Sequence, residues 1–223
     1  MKESGAVAFG DYKKPMSNPN NLKLALEYAC ESNTPVFSFP QDKNISQDGV
    51  MNEGLISTSL GLRGIPSIAE EINIARDISV LEYTKGFLHI PTISSAKSVK
   101  LIREAKSKKL NISCSVAIHN LFFHDDKIQN FNTNFKVSPP LRTPEDTKAL
   151  IAGLKDGTID MITSDHNPLN IELKNIEFDN ASFGTIGLES AFGALNMLFP
   201  IKTTINLLTR GKNLFGIDDD FIK

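Results

Sequence analysis

The sequence predicts an α/β fold built on a parallel sheet. Three observations carry that prediction. Short apolar runs alternate with longer segments of helical periodicity along the whole chain. The apolar runs are continuous rather than alternating, as expected of strands covered on both faces. The segments between them are long enough to return the chain to the same edge, so successive strands run parallel. Five such units fit either an open doubly wound sheet or part of a (β/α)8 barrel. No glycine-rich turn follows the first strand, which weakens a dinucleotide-binding reading.

In order, residues 5–9 (Gly-Ala-Val-Ala-Phe) read as the first strand. Residues 20–32 place Leu22, Ala25, Leu26 and Ala29 at helical spacing. Residues 34–39 make the second strand. Residues 41–66 hold Gly49, Gly54, Gly61 and Gly64, which predicts a loop without ordered elements. Residues 67–85 predict a long helix with Ile68, Ile72, Ala75 and Ile78 on its inner face. Residues 86–90 are the third strand. A helix follows over 94–109, with Ser94 as its cap and Lys106, Lys108 and Lys109 at the negative end of its dipole. Residues 111–116 are the fourth strand. Residues 119–141 read as a loop, which places His119 and His124 at the surface. Thr143-Pro144-Glu145 supplies a cap, a first-turn proline and an acid for a helix ending near Asp156-Gly157. Residues 160–164 are the fifth strand, and helices are expected over 186–198 and 203–209.

The bulk properties exclude some functions. With 24 basic and 26 acidic residues, the net charge is -2, which gives no electrostatic case for nucleic acid or an anionic membrane. No apolar run is long enough to span a bilayer and no signal peptide is visible, so the expected location is cytoplasmic. Cys30 and Cys114 do not make a disulfide framework. The length suits a single domain over residues 1–223.

The candidate chemistry lies at the fifth strand, in Asp160-Met-Ile-Thr-Ser-Asp-His166 followed by Asn167-Pro168. A carboxylate at the C-terminal tip of a barrel strand can ligate a metal or take a proton from metal-bound water. The same residues also make an ordinary turn, because Asp and Asn side chains bond their own backbone.

Several stretches together resemble dihydroorotases of the amidohydrolase superfamily. They are Lys2-Glu-Ser-Gly-Ala-Val-Ala-Phe9, Met51-Asn-Glu-Gly54, Ser57-Thr-Ser-Leu-Gly-Leu-Arg-Gly-Ile-Pro66 and Ala69-Glu-Glu71. They continue with Asn134-Phe-Lys-Val-Ser-Pro-Pro-Leu-Arg142, Asp156-Gly-Thr-Ile-Asp160, Ser164-Asp-His166 and Phe183-Gly-Thr-Ile-Gly-Leu-Glu189. The resemblance implies a (β/α)8 TIM barrel of the metal-dependent hydrolase type, of which this chain would be the C-terminal part, about strands four to eight. The earlier strands with their Asp-x-His-x-His motif, and a small β-sandwich, would then be missing. A piece with open edges along residues 5–9 and 160–164 is expected not to fold stably alone. The resemblance also implies a zinc-dependent hydrolase that interconverts carbamoyl-aspartate and dihydroorotate in pyrimidine synthesis.

Position by position, the resemblance implies a degraded site. Of the family's Asp-Asp-Gly turn, Asp11 keeps the first acid, and Tyr12 stands where the metal-bridging acid is expected. Phe39 replaces a metal-binding histidine, and Thr92 replaces another. Ser138 stands for a substrate-binding asparagine, and Leu169 for a histidine that grips the substrate carboxylate. Asp165 is kept as metal ligand and catalytic acid-base group, as are Phe183 and Gly184 of the substrate loop. Phenylalanine and leucine donate nothing to zinc or a carboxylate. The resulting expectation is a pseudoenzyme without zinc, structural in association with aspartate transcarbamoylase and open to homo-oligomer formation. The alternative is an active zinc-dependent dihydroorotase or related cyclic amidohydrolase, with one metal held by Asp165 and an Asp-x-His-x-His motif. A third reading is a sensor of a pyrimidine-pathway ligand. His89 is expected to be a satisfied core histidine and His166 to orient its loop. Phe39 and Leu169 are expected to fill the vacated site, with Tyr12 offering it a hydroxyl.

Overall fold

The computed structural model describes residues 1–217. The strands are β1 (Phe9–Gly10), β2 (Val36–Phe37), β3 (Met51–Asn52), β4 (Gly64–Ile65), β5 (Leu88–Ile90), β6 (Ile112–Ala117) and β7 (Met161–Thr163). The helices are α1 (Pro19–Cys30), α2 (Lys43–Ser46), α3 (Leu55–Leu60), α4 (Ile68–Thr84), α5 (Ala96–Ser107), α6 (Pro144–Lys155), α7 (Leu188–Leu198), α8 (Ile201–Thr209) and α9 (Gly211–Leu214). Among the described residues, five strands form one parallel sheet in the order β1-β2-β5-β6-β7. The five expected strands and their parallel sense are thus present.

Local chemistry explains where two of the helices begin. Asn18 caps α1 by accepting from the Asn20 N–H, and Pro19 occupies its first turn. Thr143 and Asp146 exchange hydrogen bonds in a capping box at the start of α6. Leu22 and Leu26 of α1, Ile74 and Leu81 of α4, and Val99 and Ile102 of α5 pack onto Leu88, Ile90, Cys114 and Val116 of the sheet. This apolar layer packs the helices onto the sheet.

Five expectations need correction. The first strand is confined to Phe9–Gly10 rather than residues 5–9. β1 is an edge whose Phe9 N–H reaches the Pro35 carbonyl at 3.0 Å, while residues 1–6 turn on themselves through the Gly5 N–H to Lys2 carbonyl bond. Residues 41–66 are ordered: they carry α2, α3 and the parallel pair β3-β4. Two of their glycines serve close approach. A Cβ at Gly64 would stand 2.4 Å from the Glu53 Cα, and one at Gly49 would stand 2.5 Å from the Ile65 side chain.

The inner face of α4 is also different. Ile68 and Ile72 are 48% and 45% exposed, and Ala69, Glu70, Asn73, Ile74, Asp77 and Leu81 are buried. Polar side chains took that face because partners wait for them inside. Asp77 accepts from the Ser38 hydroxyl at 2.6 Å and from the Arg76 guanidinium at 2.7 Å. Ser95, not Ser94, caps α5, accepting from the Ser98 N–H at 3.0 Å. The expected loop after β6 holds 3-10 turns at Ile118–Leu121, Asp125–Asn130 and Thr133–Phe135, and it buries His119, which is only 6% exposed. His124 is half-buried.

Candidate functional site

The strand tips surround a cavity of about 290 Å³ lined by Tyr12, Lys13, Phe39, Thr92, Asp165 and His166 among others. Each element delivers its residue for a local reason. Tyr12 follows β1, Thr92 follows β5 and Asp165 follows β7, where the backbone leaves the ladder and turns. All three turn through the left-handed region, at φ 48, 49 and 47 respectively. Phe39, buried just beyond β2, forms an apolar wall.

Asp165 does not face the cavity as a free carboxylate. Its Oδ2 lies 2.7 Å from the Lys13 ammonium, which also donates to the Ser138 carbonyl at 2.7 Å. Burial pushes the Asp165 carboxyl above the usual carboxylate range, and the Lys13 charge opposes that push. Burial, aided by the Asp165 charge, raises the Tyr12 phenol, which therefore stays protonated although Tyr12 is 71% exposed. Lys13 follows directly on Asp11-Tyr12.

His119 was the residue that sequence reasoning missed. Its Nε2 lies 3.7 Å from Asp165 Oδ2, and neither ring nitrogen has a partner. Burial, with Lys13 nearby, holds its pKa down to about 3, so the ring is neutral. The signal was available: His119 stands just past the tip of β6, as Asp165 stands past β7. His89 is a core histidine as expected. Its Nδ1 pairs with the Ser113 hydroxyl at 2.8 Å, and its Nε2 with that of Ser115 at 3.4 Å.

The other expected residues are not drawn into the cavity. Leu169 lies against Gly184, where a Cβ would meet the Leu169 Cδ1 at 3.0 Å and the Asn167 carbonyl at 2.6 Å. It therefore packs the loop instead of filling the vacated site. Ser138 contributes its carbonyl, held by Lys13. Phe183 turns to the Lys136 ammonium, 5.0 Å from its ring centroid, and its carbonyl accepts from the Asn167 side chain at 3.1 Å. Gly184 donates to the Lys136 carbonyl at 2.9 Å.

His166 orients the loop that follows. Its Nδ1 accepts from the Gly187 and Leu188 N–H groups, both at 3.3 Å, and so caps α7. Gly187 makes this possible, because a Cβ there would stand 2.2 Å from the Ser164 carbonyl oxygen. Gly187→Ala is expected to cost about 1–3 kcal/mol by overpacking backbone against backbone. Thermal melting checks this, and an unchanged Tm would show that the loop gives way freely.

The donors around Asp165 do not fit zinc. Among the described residues, no group of three histidine, cysteine or acidic side chains is placed to hold a metal ion. The Lys13 ammonium repels a cation from the carboxylate, and both His89 nitrogens are engaged by serines. Among the described residues, no helix is long and apolar enough to cross a membrane.

Comparison with known proteins gives the lineage. No protein-family model matches the chain. It is 43% identical over 224 residues to a protein named dihydroorotase from Pelotomaculum thermopropionicum, covering 97% of this chain and 52% of that one. It is 47% identical over 230 residues to a dihydroorotase from Caldicellulosiruptor saccharolyticus, covering 100% of this chain and 54% of that one. The chain thus spans about half the length of the curated relatives it matches. Its fold superposes on an L-hydantoinase (dihydropyrimidinase) from Arthrobacter aurescens with a TM-score of 0.82 at 20% identity, over 98% of this chain and 53% of that one. A dihydroorotase from Saccharomyces cerevisiae, solved with 5-fluoroorotic acid, gives a TM-score of 0.76 at 14% identity, over 98% of this chain and 63% of that one. By sequence this chain is a homologue of the dihydroorotases, and it carries the α/β fold of the hydantoinase and dihydroorotase amidohydrolases.

Proposed function

We propose that this chain is a dihydroorotase-like protein of pyrimidine biosynthesis that binds no zinc and does not hydrolyse dihydroorotate. Its role is structural, in association with aspartate transcarbamoylase. One observation carries the reading: the Lys13 ammonium sits 2.7 Å from Asp165, the acid that the family resemblance keeps. Metal-dependent amide hydrolysis needs a cation that acidifies water and polarises the carbonyl. A lysine ammonium supplies charge but no open coordination position. Tyr12, Phe39 and Thr92 stand at the expected ligand positions, and none of the three is a histidine or an acid.

Zinc content of the purified protein, prepared at neutral pH without chelator, tests this. The expected result is no zinc above background and no turnover of dihydroorotate. One or two zinc ions per chain together with hydrolysis would overturn it. Co-purification of aspartate transcarbamoylase tests the partnership. A second reading, an active zinc-dependent dihydroorotase, draws support from His119, whose unpartnered nitrogens lie beside Asp165.

A further inference from the structure

A closed circuit of hydrogen bonds joins the strand-tip cavity to a strap, residues 177–184, which lies between β7 and α7. Four carbonyls of this strap are taken up by two ammonium groups. Lys136 Nζ donates to the Phe178 and Asp179 carbonyls at 2.7 and 3.0 Å, and Lys174 Nζ to the Ser182 and Gly184 carbonyls at 3.0 and 2.8 Å. Burial pulls the Lys136 ammonium below the ordinary lysine range; Asp179 opposes the shift and Lys174 adds to it. Two like charges thus share one short strap, and Glu177, Asp179 and Asn180 on it are exposed. A segment held in this way opens at lower cost than a packed core.

From the strap, the Gly184 N–H donates to the Lys136 carbonyl at 2.9 Å. Two residues on, the Ser138 carbonyl accepts from the Lys13 ammonium at 2.7 Å, and the same ammonium holds Asp165 at 2.7 Å. Two residues beyond Asp165, the Asn167 N–H donates to the Thr185 carbonyl at 2.9 Å, and its side chain donates to the Phe183 carbonyl at 3.1 Å. The ion pair therefore grips the strap from both sides, through residues 136–138 and through residues 165–167. Lys13 and Asp165 both line the cavity, and the Lys13 side chain is 19% exposed, so a group entering there can reach the pair.

We propose that the Lys13–Asp165 pair is a latch for the strap: while the pair is intact, residues 136–138 stay in place and the strap is closed, and when the pair is broken the strap opens. The inference needs only the ion pair and not the partnership proposed above. Breaking the pair frees the Ser138 carbonyl, and the stretch that carries Lys136 then loses the contact that fixes it against the cavity. Lys136 holds the strap by its ammonium and by its carbonyl, so both anchors loosen together. A contiguous network of this kind earns the name of a latch only when its two ends are shown to be coupled.

The test is amide hydrogen exchange on the full 223-residue chain. The strap is read at the Ser182 and Gly184 N–H groups, which donate to the Leu173 and Lys136 carbonyls. The amides of β6 report global unfolding. Lys13→Met should speed exchange at Ser182 and Gly184 by at least about tenfold more than it speeds exchange in β6. Lys174→Met breaks the strap's second clamp directly and should have a similar local effect. The two substitutions together should fall short of the product of their separate effects, because the second acts on a strap that is already open. Unchanged strap exchange in Lys13→Met would overturn the inference. So would an equal acceleration in the strap and in β6, which would mean that Lys13 serves global stability alone. Multiplying effects in the double variant would also overturn it, since the ion pair and the strap would then be independent.

Discussion

Arg142→Ala is expected to destabilise the fold by about 3–5 kcal/mol, the usual cost of removing one partner from a buried charged pair. Arg142 is 3% exposed. Its Nη1 donates to the Asn52 side-chain carbonyl at 2.8 Å and to the Ile65 carbonyl at 2.6 Å, and its Nε to the Ser94 hydroxyl at 3.1 Å. Its Nη2 stands 3.9 Å from the buried Glu70 carboxylate. Glu70 in turn accepts from the Ser94 and Ser95 N–H groups at 2.8 and 3.1 Å, from the Ser98 hydroxyl at 2.5 Å and from the Ser94 hydroxyl. It sits at the start of α5, where the helix dipole favours an anion. Asn52 passes the network on to Asp125 at 2.7 Å. Removing Arg142 leaves a buried carboxylate without its counter-charge and two acceptors, at Ile65 and Asn52, without donors. Arg142→Lys should recover only part of the loss, because one ammonium cannot reproduce the guanidinium fork. Urea denaturation measures both variants. A cost below about 1 kcal/mol for the alanine variant would mean that water replaces the arginine.

The protein is expected to lose stability steeply as pH falls below about 6.5. His89 and His119 are both held to about 3 by burial, each with a lysine charge adding to the effect. The unfolded chain takes up a proton on each near its ordinary value of about 6.5, while the folded chain does not until about pH 3. The stability from the two neutral rings is therefore complete above that upper limit and is lost on acidification. The slope is at most about 1.4 kcal/mol per pH unit for each ring, so pH 5 costs roughly 4 kcal/mol in all. Asp77 and Asp165 act in the opposite direction, since burial raises both and protonating them favours the folded state at lower pH. Melting temperature against pH checks the expectation. His119→Gln, which cannot titrate, should remove about half of the slope; an unchanged slope would mean that His119 is accessible to protons in the folded state.

The sheet was legible because its strands are short apolar runs bounded by turn residues, and α6 because Thr143-Pro144 marks its start. Asp165 stood out because it closes an apolar strand, although the same residues also read as an ordinary turn. What escaped was decided by partners distant in the chain. Asn52 meets Asp125, Glu70 meets Ser94 and Arg142, and Lys13 meets Asp165 across 152 positions. No local periodicity reports such pairings, so the inner face of α4 was assigned to Ile68 and Ile72, when Glu70, Asn73 and Asp77 occupy it. The glycines of residues 41–66 misled for a related reason. Two of them mark close backbone contact between β3 and β4, and a sequence records glycine there without recording what lies opposite.

The Lys13–Asp165 pair also bears on what a single substitution in this cavity can achieve. A histidine introduced at position 39 or 92 would gain little as a metal ligand while an ammonium holds the carboxylate, because the incoming cation meets like charge. Removing Lys13 alone leaves a buried acid unpaired and weakens the fold before any metal is held.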